Sequence, residues 1–240
     1  MLDQQVSDLE YFVIDGGSSD DSVEIIRRYA GDLAYWQSER DNGQASAVNI
    51  GWSMASGDIL GWLNSDDFYL PGALNTVAAY MAEHSEALVV YGKCMFVDPA
   101  GRPFAVMGEP FDGHRLARGR QMIPQPSTFI RREVWQQVGP LDESLRYALD
   151  YDFLVRVSRI CRPQYIDRAL AGFTVHRAAK TTEDRAAARM ETLRVAQEYA
   201  SGVDAILLRL ITSRARIYHA LPAALRTRLD AIRRLPVLPD

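Results

Sequence analysis

A short apolar run that ends in two adjacent carboxylates limits what this chain can fold into more than any other segment. Residues 57–67 read Gly-Asp-Ile-Leu-Gly-Trp-Leu-Asn-Ser-Asp-Asp, and their apolar part is too short for a helix. The glycine at its start and the Pro71-Gly72 pair beyond it predict a buried strand that ends in Asp66 and Asp67. Acidic side chains at the carboxyl end of a buried strand lie where open α/β sheets bind their ligands.

Two interpretations of Asp66 and Asp67 are open at this point. Adjacent carboxylates repel each other, and a bound divalent cation such as Mg2+ or Mn2+, which prefers oxygen ligands, would offset that repulsion. The alternative is a solvated turn after the strand, because Asp and Asn favour turns. The segment alone favours neither.

The first third of the chain alternates apolar runs with segments of helical spacing. The predicted strands are residues 9–14, 33–36 and 59–63, and the predicted helices are residues 22–30, 45–55 and 72–84. Such alternation predicts an α/β fold with a mostly parallel open sheet flanked by helices. Because the pattern is almost entirely helical from residue 184 onward, we expect a domain over residues 1–182 and a C-terminal helical extension over residues 183–240.

Composition excludes several classes of protein. The net charge of -4 argues against a general nucleic-acid binder, and Cys94 and Cys161 are too few and too far apart for a zinc knuckle or a disulfide framework. No apolar run is long enough to span a bilayer, and residues 1–5 have neither the basic nor the apolar region of a signal peptide. These features predict a soluble cytoplasmic protein.

Two further polar loops each join a predicted strand to a predicted helix. Residues 15–22 contain two glycines, which allow tight turns and a close approach of the backbone to a ligand. Asp15 is interpreted either as an acceptor of hydrogen bonds from a nucleobase or ribose, or as part of a helix-capping turn. Residues 39–44 crowd acid, base and amide groups together, which a solvated loop would also explain. The chain has neither a Gly-x-Gly-x-x-Gly motif nor a P-loop.

The three loops follow strands of the predicted parallel sheet, so they should emerge at the same edge. Their order and their residues resemble glycosyltransferase family 2, whose members have the GT-A fold. The matching segments are residues 12–20, 39–44, 57–67, 123–132 and 141–152. The resemblance extends from about residue 1 to residue 182 and rests on motifs in the family's order.

The resemblance implies a nucleotide-sugar site at the ends of the first strands. Asp15 matches the family's Asp that contacts the nucleobase, and Asp41 matches a second polar contact to the nucleoside. Asp66 would lie nearer the ribose.

The resemblance also implies metal-binding and catalytic residues. Asp67 would bind the metal, and His176 matches a late histidine that helps to hold the metal or the diphosphate. Asp150 matches the general base, which takes the proton of the acceptor hydroxyl. Asp152 competes for that role, but two residues further on it should point elsewhere.

Together these residues imply an inverting, metal-dependent glycosyltransferase. Such an enzyme moves a sugar from a nucleoside-diphosphate donor, here expected to be a UDP-sugar, to a hydroxyl acceptor on a glycan or a lipid-linked molecule. A divalent cation, Mn2+ or Mg2+, would stabilise the charge that develops on the leaving diphosphate. We expect a role in the synthesis of cell-surface polysaccharide or glycan.

The chain departs from the family pattern at its start. The usual first strand and helix are absent, and that strand would lie centrally, between the strands that end at Asp15 and Asp66. Its absence would leave unpaired backbone groups on both neighbours. We expect a misassigned or truncated start. The alternative is a non-catalytic remnant that at most binds sugar nucleotide.

Residues 203–240 carry seven arginines against few acids, interleaved with apolar residues at helical spacing. Such basic helices would suit the inner face of a membrane and a lipid-linked acceptor. The alternative is a solvated helix that packs on the catalytic domain.

Overall fold

The structure is a computed structural model that describes residues 1–176 and 184–220. The strands are β1 (Phe12–Asp15), β2 (Tyr35–Ser38), β3 (Ile59–Gly61), β4 (Phe68–Tyr69), β5 (Val89–Val97), β6 (Pro103–Met107), β7 (Thr128–Arg131) and β8 (Gln164–Thr174). The helices are α1 (Ser22–Arg28), α2 (Gln44–Met54), α3 (Ala73–Glu83), α4 (Gly113–Ala117), α5 (Arg132–Val138), α6 (Leu149–Val157), α7 (Arg185–Tyr199) and α8 (Gly202–Ala220). This mixture of elements confirms the predicted α/β class.

The start of the chain folds as its alternating pattern predicts. β1 and β2 pair in parallel, with Phe12 opposite Tyr35 and Asp15 opposite Ser38. Helix α1 lies between them in sequence and supplies the crossover that a parallel pair requires. The polar loops that follow the two strands therefore begin at the same edge.

The larger sheet is mostly antiparallel, so the prediction of a mostly parallel sheet is wrong. Its six strands have the order β3-β7-β5-β8-β4, and β6 pairs with β5. Within this sheet β5 and β8 pair in parallel, whereas the β3–β7, β5–β7, β4–β8 and β5–β6 pairs are antiparallel. Helical crossovers, which favour parallel pairing, connect the first strands, but the turn over residues 98–102 reverses the chain directly between β5 and β6.

The strands divide between two sheets where the sequence predicts an absent strand. In the residues that the structure describes, β1 pairs with β2 alone and β3 with β7 alone. Helix α2 joins the two parts, because it packs on β1 while its Trp52 Nε1 donates a hydrogen bond to Gly61 O at 3.3 Å. The Glu10 carboxylate, just before β1, accepts hydrogen bonds from the backbone N–H groups of residues 56–57.

Aromatic rings fill the core between α2, α5, α6 and the end of β3. The Trp52 ring centroid lies 5.3 Å from that of Trp62, 5.5 Å from Phe153 and 6.4 Å from Trp135. Trp52 itself is only 6% exposed. This packing fixes α6, which carries Asp150, against the strand that leads to Asp66 and Asp67.

The C-terminal helices α7 and α8 pack into the same core. Leu193 of α7 and Leu208 of α8 are completely buried there, next to residues of α6. The predicted domain boundary at residues 182 and 183, and residues 221–240 with their four arginines, lie outside the described residues. In the part of the chain that is described, no helix is both long and apolar enough to cross a membrane.

Gly92 permits the closest backbone approach between β5 and β8, at a shift in their register. A Cβ atom on Gly92 would lie 2.5 Å from Arg168 O and 2.6 Å from Leu170 Cδ1. Because the first neighbour is backbone, no change of rotamer relieves that clash. We expect Gly92→Ala to lower the free energy of unfolding by about 1–3 kcal/mol, as measured by urea denaturation.

Gly31→Ala is the matched control, since a Cβ atom at Gly31 has no neighbour within 4 Å. We expect this variant to unfold at the wild-type urea concentration or slightly above it, because alanine restricts the unfolded chain. Equal destabilisation of the two variants would contradict the steric explanation.

Candidate active site

The turn after β3 is held by the side chain of Asn64. Its Oδ1 accepts a hydrogen bond from Gln44 Nε2 at 2.6 Å, and its Nδ2 donates to Asp67 Oδ2 at 3.1 Å and to Gln125 Oε1 at 3.4 Å. Gln44 begins α2, and Gln125 lies just before β7. One amide therefore joins the acidic turn to two loops from distant parts of the sequence.

Asp67 is buried behind this turn, with 8% of its surface exposed. Its Oδ1 accepts a hydrogen bond from Thr174 N at 3.1 Å, and its Oδ2 accepts one from Asn64. Burial raises the pKa of Asp67 to about 6, and the neighbouring Asp66 carboxylate acts in the same direction. Because both oxygens have protein partners, Asp67 connects the turn to the end of β8.

Asp66 is accessible and contacts His176. Its side chain is 38% exposed, and its Oδ2 lies 2.9 Å from His176 Nε2. The resemblance to the family implied that Asp67 binds the metal together with His176. The structure pairs His176 with Asp66 and buries Asp67, so Asp66 is the accessible acid beside the histidine, and the metal role of Asp67 stays a prediction.

Asp66 and His176 form a donor set that suits a divalent cation completed by substrate. Among the described residues, no three His, Cys, Asp or Glu side chains are grouped to hold a metal ion by themselves. Mg2+ usually takes one or two protein carboxylates and fills its remaining positions with water and substrate phosphates. The buried Asp67 adds negative charge behind the pair, which a cation would offset.

The two loops assigned to the nucleoside lie side by side. Asp15 accepts hydrogen bonds from Ser18 Oγ at 2.5 Å and from Ser38 Oγ at 2.6 Å. Burial alone would raise the pKa of Asp15, but these hydrogen bonds outweigh it and hold the pKa below its usual value. Asp41 packs against the other loop, since a Cβ atom on Gly16 would lie 3.0 Å from Asp41 Oδ1. The structure thus brings Asp15 and Asp41 together, and Asp15 itself organises its own loop.

Asp66 and Asp150 line one cleft of about 380 Å³, together with Gln44 and Asn64. Asp150 Oδ2 accepts a hydrogen bond from Gln121 Nε2 at 3.0 Å, and its Oδ1 accepts one from Tyr151 N at 2.7 Å. Burial raises the pKa of Asp150 to about 6. A carboxyl group with that pKa is ionised at neutral pH and basic enough to take a proton from a hydroxyl group.

Asp152, the competing candidate for the base, points into the protein. Its Oδ2 lies 2.9 Å from Arg156 Nε, and its Oδ1 accepts a hydrogen bond from Tyr199 OH at 2.9 Å. Only 5% of Asp152 is exposed. This agrees with the expectation that Asp152 points elsewhere, and it leaves Asp150 as the acid in the cleft.

Sequence reasoning missed three polar residues of this cleft: Gln121, Arg146 and Tyr147. Gln121 lies in an irregular stretch without periodicity, so no local pattern marks it as the partner of Asp150. Arg146 and Tyr147 belong to the matched segment 141–152, and their closeness to Asp150 in the chain was a usable signal.

A protein family matches more than half of the chain. The model of glycosyl transferase family 2 matches residues 1–138. This chain is therefore a member of glycosyltransferase family 2.

Several curated relatives of this chain come from mycobacteria. An uncharacterized glycosyltransferase of Mycobacterium tuberculosis is 30% identical over 170 residues, which are 69% of this chain and 63% of that protein. A Mycobacterium bovis protein named PGL/p-HBAD biosynthesis glycosyltransferase is 32% identical over 157 residues, which are 64% of this chain and 59% of that protein. The chain thus spans about three fifths of the length of these relatives.

Solved structures share the GT-A fold with this chain. S. aureus TarS in complex with UDP-GlcNAc matches with a TM-score of 0.62 at 18% identity, over 89% of this chain and 65% of that one. The mannosyltransferase PcManGT from Pyrobaculum calidifontis, in complex with GDP-Man and Mn2+, matches with a TM-score of 0.60 at 16% identity, over 93% and 70% of the two chains. These matches confirm the predicted GT-A fold.

Proposed function

We propose that the protein transfers a sugar from a nucleoside-diphosphate donor to a hydroxyl acceptor, with inversion of the anomeric centre. The observation that carries this proposal is the arrangement of the cleft, which has Asp66 beside His176 at one place and Asp150, with its raised pKa, at another. Family membership and the complexes of TarS with UDP-GlcNAc and of PcManGT with GDP-Man support the donor class. A UDP-sugar is the expected donor.

On the donor side, Asp66 and His176 would hold Mn2+ or Mg2+ against the diphosphate. The Mn2+ in the PcManGT complex supports this choice of metal. When bound, the cation stabilises the negative charge of the leaving nucleoside diphosphate. The adjacent loops of Asp15 and Asp41 would contact the nucleoside, and Gly16 and Gly17 let the backbone approach it closely.

On the acceptor side, Asp150 would remove the proton of the attacking hydroxyl group. The hydrogen bond from Gln121 orients its carboxylate and keeps one oxygen engaged. Attack from the side opposite the diphosphate is a single displacement, which inverts the anomeric carbon. The aromatic rings of Phe96 and Phe173, which are 5.3 Å apart, line the cleft and suit the apolar face of a sugar or an aglycone.

The mycobacterial relative named for PGL/p-HBAD biosynthesis supports an acceptor in cell-surface glycan or glycolipid synthesis. The second candidate is a remnant that binds sugar nucleotide without turning it over. The division between β1 and β3 favours it, because the nucleoside loops follow the smaller sheet and the metal turn follows the larger one.

Variants of the cleft test the metal assignment. Asp66→Asn and His176→Ala are expected to lower the Mn2+-dependent affinity for a UDP-sugar at least about tenfold, because each removes a donor atom from the cation. Isothermal titration with and without Mn2+ measures the change. His84→Ala, at a half-exposed histidine just after α3, is the matched control and should bind like the wild type.

Mn2+-dependent hydrolysis of the donor by the wild type distinguishes enzyme from remnant. Hydrolysis that Asp66→Asn abolishes supports the transferase. Metal-dependent binding without turnover of any donor or acceptor would favour the remnant. If Mn2+-dependent hydrolysis persists in Asp66→Asn and is lost in Asp67→Asn, Asp67 rather than Asp66 binds the metal.

The pH dependence of transfer should follow Asp150. The base must be ionised to accept a proton, and the pKa of Asp150 is raised to about 6. The rate of transfer should therefore fall as the pH decreases below about 6. Asp150→Asn should lower the rate by about 100-fold or more and remove this dependence. Asp167→Asn, at an exposed acid on β8 paired with Lys93, should leave the profile unchanged.

Asp150→Asn should also raise the melting temperature above neutral pH. An acid whose folded-state pKa is raised destabilises the fold as pH increases from its ordinary pKa through about 6, since the charged form is the buried one. The gain should therefore shrink as the pH falls toward 4. A lower melting temperature at every pH would contradict the burial of charge.

Helix α8 supports a contact with the inner face of a membrane. It exposes Val203, Ile206 and Leu210, which are 61–68% exposed and spaced along one face, while Leu208 packs inward. Basic residues dominate the sequence from Arg209 onward, and an apolar stripe with basic flanks suits an anionic lipid surface. A cytoplasmic protein with this contact would meet lipid-linked acceptors where they are made.

Flotation with vesicles that contain phosphatidylglycerol tests this contact. A variant that combines Val203→Ser, Ile206→Ser and Leu210→Ser should not float with the vesicles, because it lacks the apolar area that inserts into the membrane. The control variant combines Phe104→Ser and Val106→Ser, at two similarly exposed positions of β6, and should float as the wild type does. A wild type that stays at the bottom of the gradient would refute the contact.

A further inference from the structure

A carboxylate from α7 holds the turn that leads into α6. Glu191 Oε2 accepts hydrogen bonds from Tyr147 N at 2.5 Å and Ala148 N at 2.8 Å, and its Oε1 accepts one from Arg146 N at 3.3 Å. Only 16% of the Glu191 side chain is exposed. Three successive backbone N–H groups therefore share one acidic partner from a distant helix.

These contacts are favourable for two physical reasons. N–H groups at the start of a helix have no partner within it, and a carboxylate that accepts them makes charge-assisted hydrogen bonds. The amino end of α6 also attracts negative charge through the helix dipole. Ala148, the N-cap residue of α6, has no side chain that could accept such bonds, so Glu191, 43 residues away, binds its N–H group together with those of the two residues before it.

The capped turn carries side chains into the cleft. Arg146, Tyr147, Leu149 and Asp150 all line it, and the guanidinium carbon of Arg146 lies 5.3 Å from the centroid of the Tyr147 ring. Because these residues are consecutive or nearly so, a shift of the turn would displace the base and its neighbours together.

Helix α7 also supports the other partner of the base. Arg189 Nη1 donates a hydrogen bond to Gly119 O at 2.5 Å, two residues before Gln121. Gln121 in turn donates to Asp150. One helix thus contacts the chain on both sides of the Asp150 carboxylate, whereas the loops assigned to the donor follow strands β1, β2 and β3.

We propose that Glu191 is a positioning residue of the acceptor half of the active site, acting through the backbone of residues 146–148. This inference rests on the proposed transferase function. Its role places α7, which follows the residues matched by the family model, within the catalytic apparatus. The rate of transfer should depend on Glu191, and the affinity for the donor should not.

Three variants test the proposal: Glu191→Ala, Glu191→Gln and Arg194→Ala. Glu191→Ala should lower kcat for transfer about 10- to 100-fold, since displacement of a base by a fraction of an ångström has effects of this size. Its affinity for the donor with Mn2+ should stay within about twofold of the wild type, because the hydrogen bonds of Glu191 go to residues 146–148 rather than to the donor loops. Glu191→Gln should recover part of the rate, because its amide oxygen still accepts hydrogen bonds.

Arg194→Ala is the matched control on the same helix. The Arg194 side chain is 60% exposed, and its Nη2 lies 3.9 Å from Glu191 Oε1. Its removal therefore tests whether any change near Glu191 affects transfer. It should behave as the wild type in both assays. Parallel loss of donor affinity and rate in Glu191→Ala, or a full rate in that variant, would overturn the proposal.

Hydrogen exchange separates this inference from the proposed function. Whether or not a donor and acceptor pair is found, the amides of residues 146–148 should exchange faster in Glu191→Ala than in Arg194→Ala, with little change in residues 12–41. Unchanged exchange at residues 146–148 would refute the positioning role even if the wild type is active. If the amides of residues 146–148 exchange faster in Glu191→Ala but the wild type transfers no sugar, the positioning role of Glu191 stands. Only the proposed transferase function is then contradicted.

Discussion

The parallel pairing of β5 with β8 is the constraint on which the site depends. It joins strands that are far apart in the sequence and aligns Val97 with Thr174 at their carboxyl ends. Only this register puts Thr174 N on the buried Asp67 carboxylate and His176 beside Asp66. The glycine at the register shift between the strands allows their backbones to come close enough. The proposed metal half of the site is therefore assembled by strand pairing rather than by a local motif.

Two carboxyl groups with raised pKa values, Asp150 in the cleft and Asp67 behind the turn that borders it, give the site its electrostatic character. Burial raises the pKa of both Asp67 and Asp150, and the two residues belong to different halves of the proposed reaction. A cation beside Asp67 favours its charged form, and a proton from an acceptor neutralises Asp150. Each carboxylate is thus unfavourable when it is charged and alone. Binding of a metal at one of them, or of a proton from the substrate at the other, would remove that cost. Hydrogen bonds donated by Asn64 and Gln121, and those accepted by Glu191, hold this arrangement.

Much of the fold was predictable from local patterns, and the site only in part. Apolar runs and helical spacing located the first strands and helices to within a few residues, and motif order identified the family. The strand Gln164–Thr174 was missed because Asp167 and Arg168 interrupt its apolar pattern. The predicted strand direction was wrong for the larger sheet, because helical crossovers connect only the first strands. The burial of Asp67 and the contact of Asp66 with His176 could not be read from two adjacent aspartates, because β8 decides which of them is covered.

The division between the two sheets also affects how the molecule holds together. Neither of its buried apolar clusters, as the described residues form them, includes a residue of β1, α1 or β2. The segment that carries Asp15 and Asp41 is therefore held by fewer buried apolar contacts than β5, β7 and β8, which favours local opening there. A nucleotide bound there, as proposed, would oppose that opening, so part of the intrinsic binding free energy would be consumed in ordering the segment. Measured donor affinity would then report on the local stability of this segment as well as on its contacts.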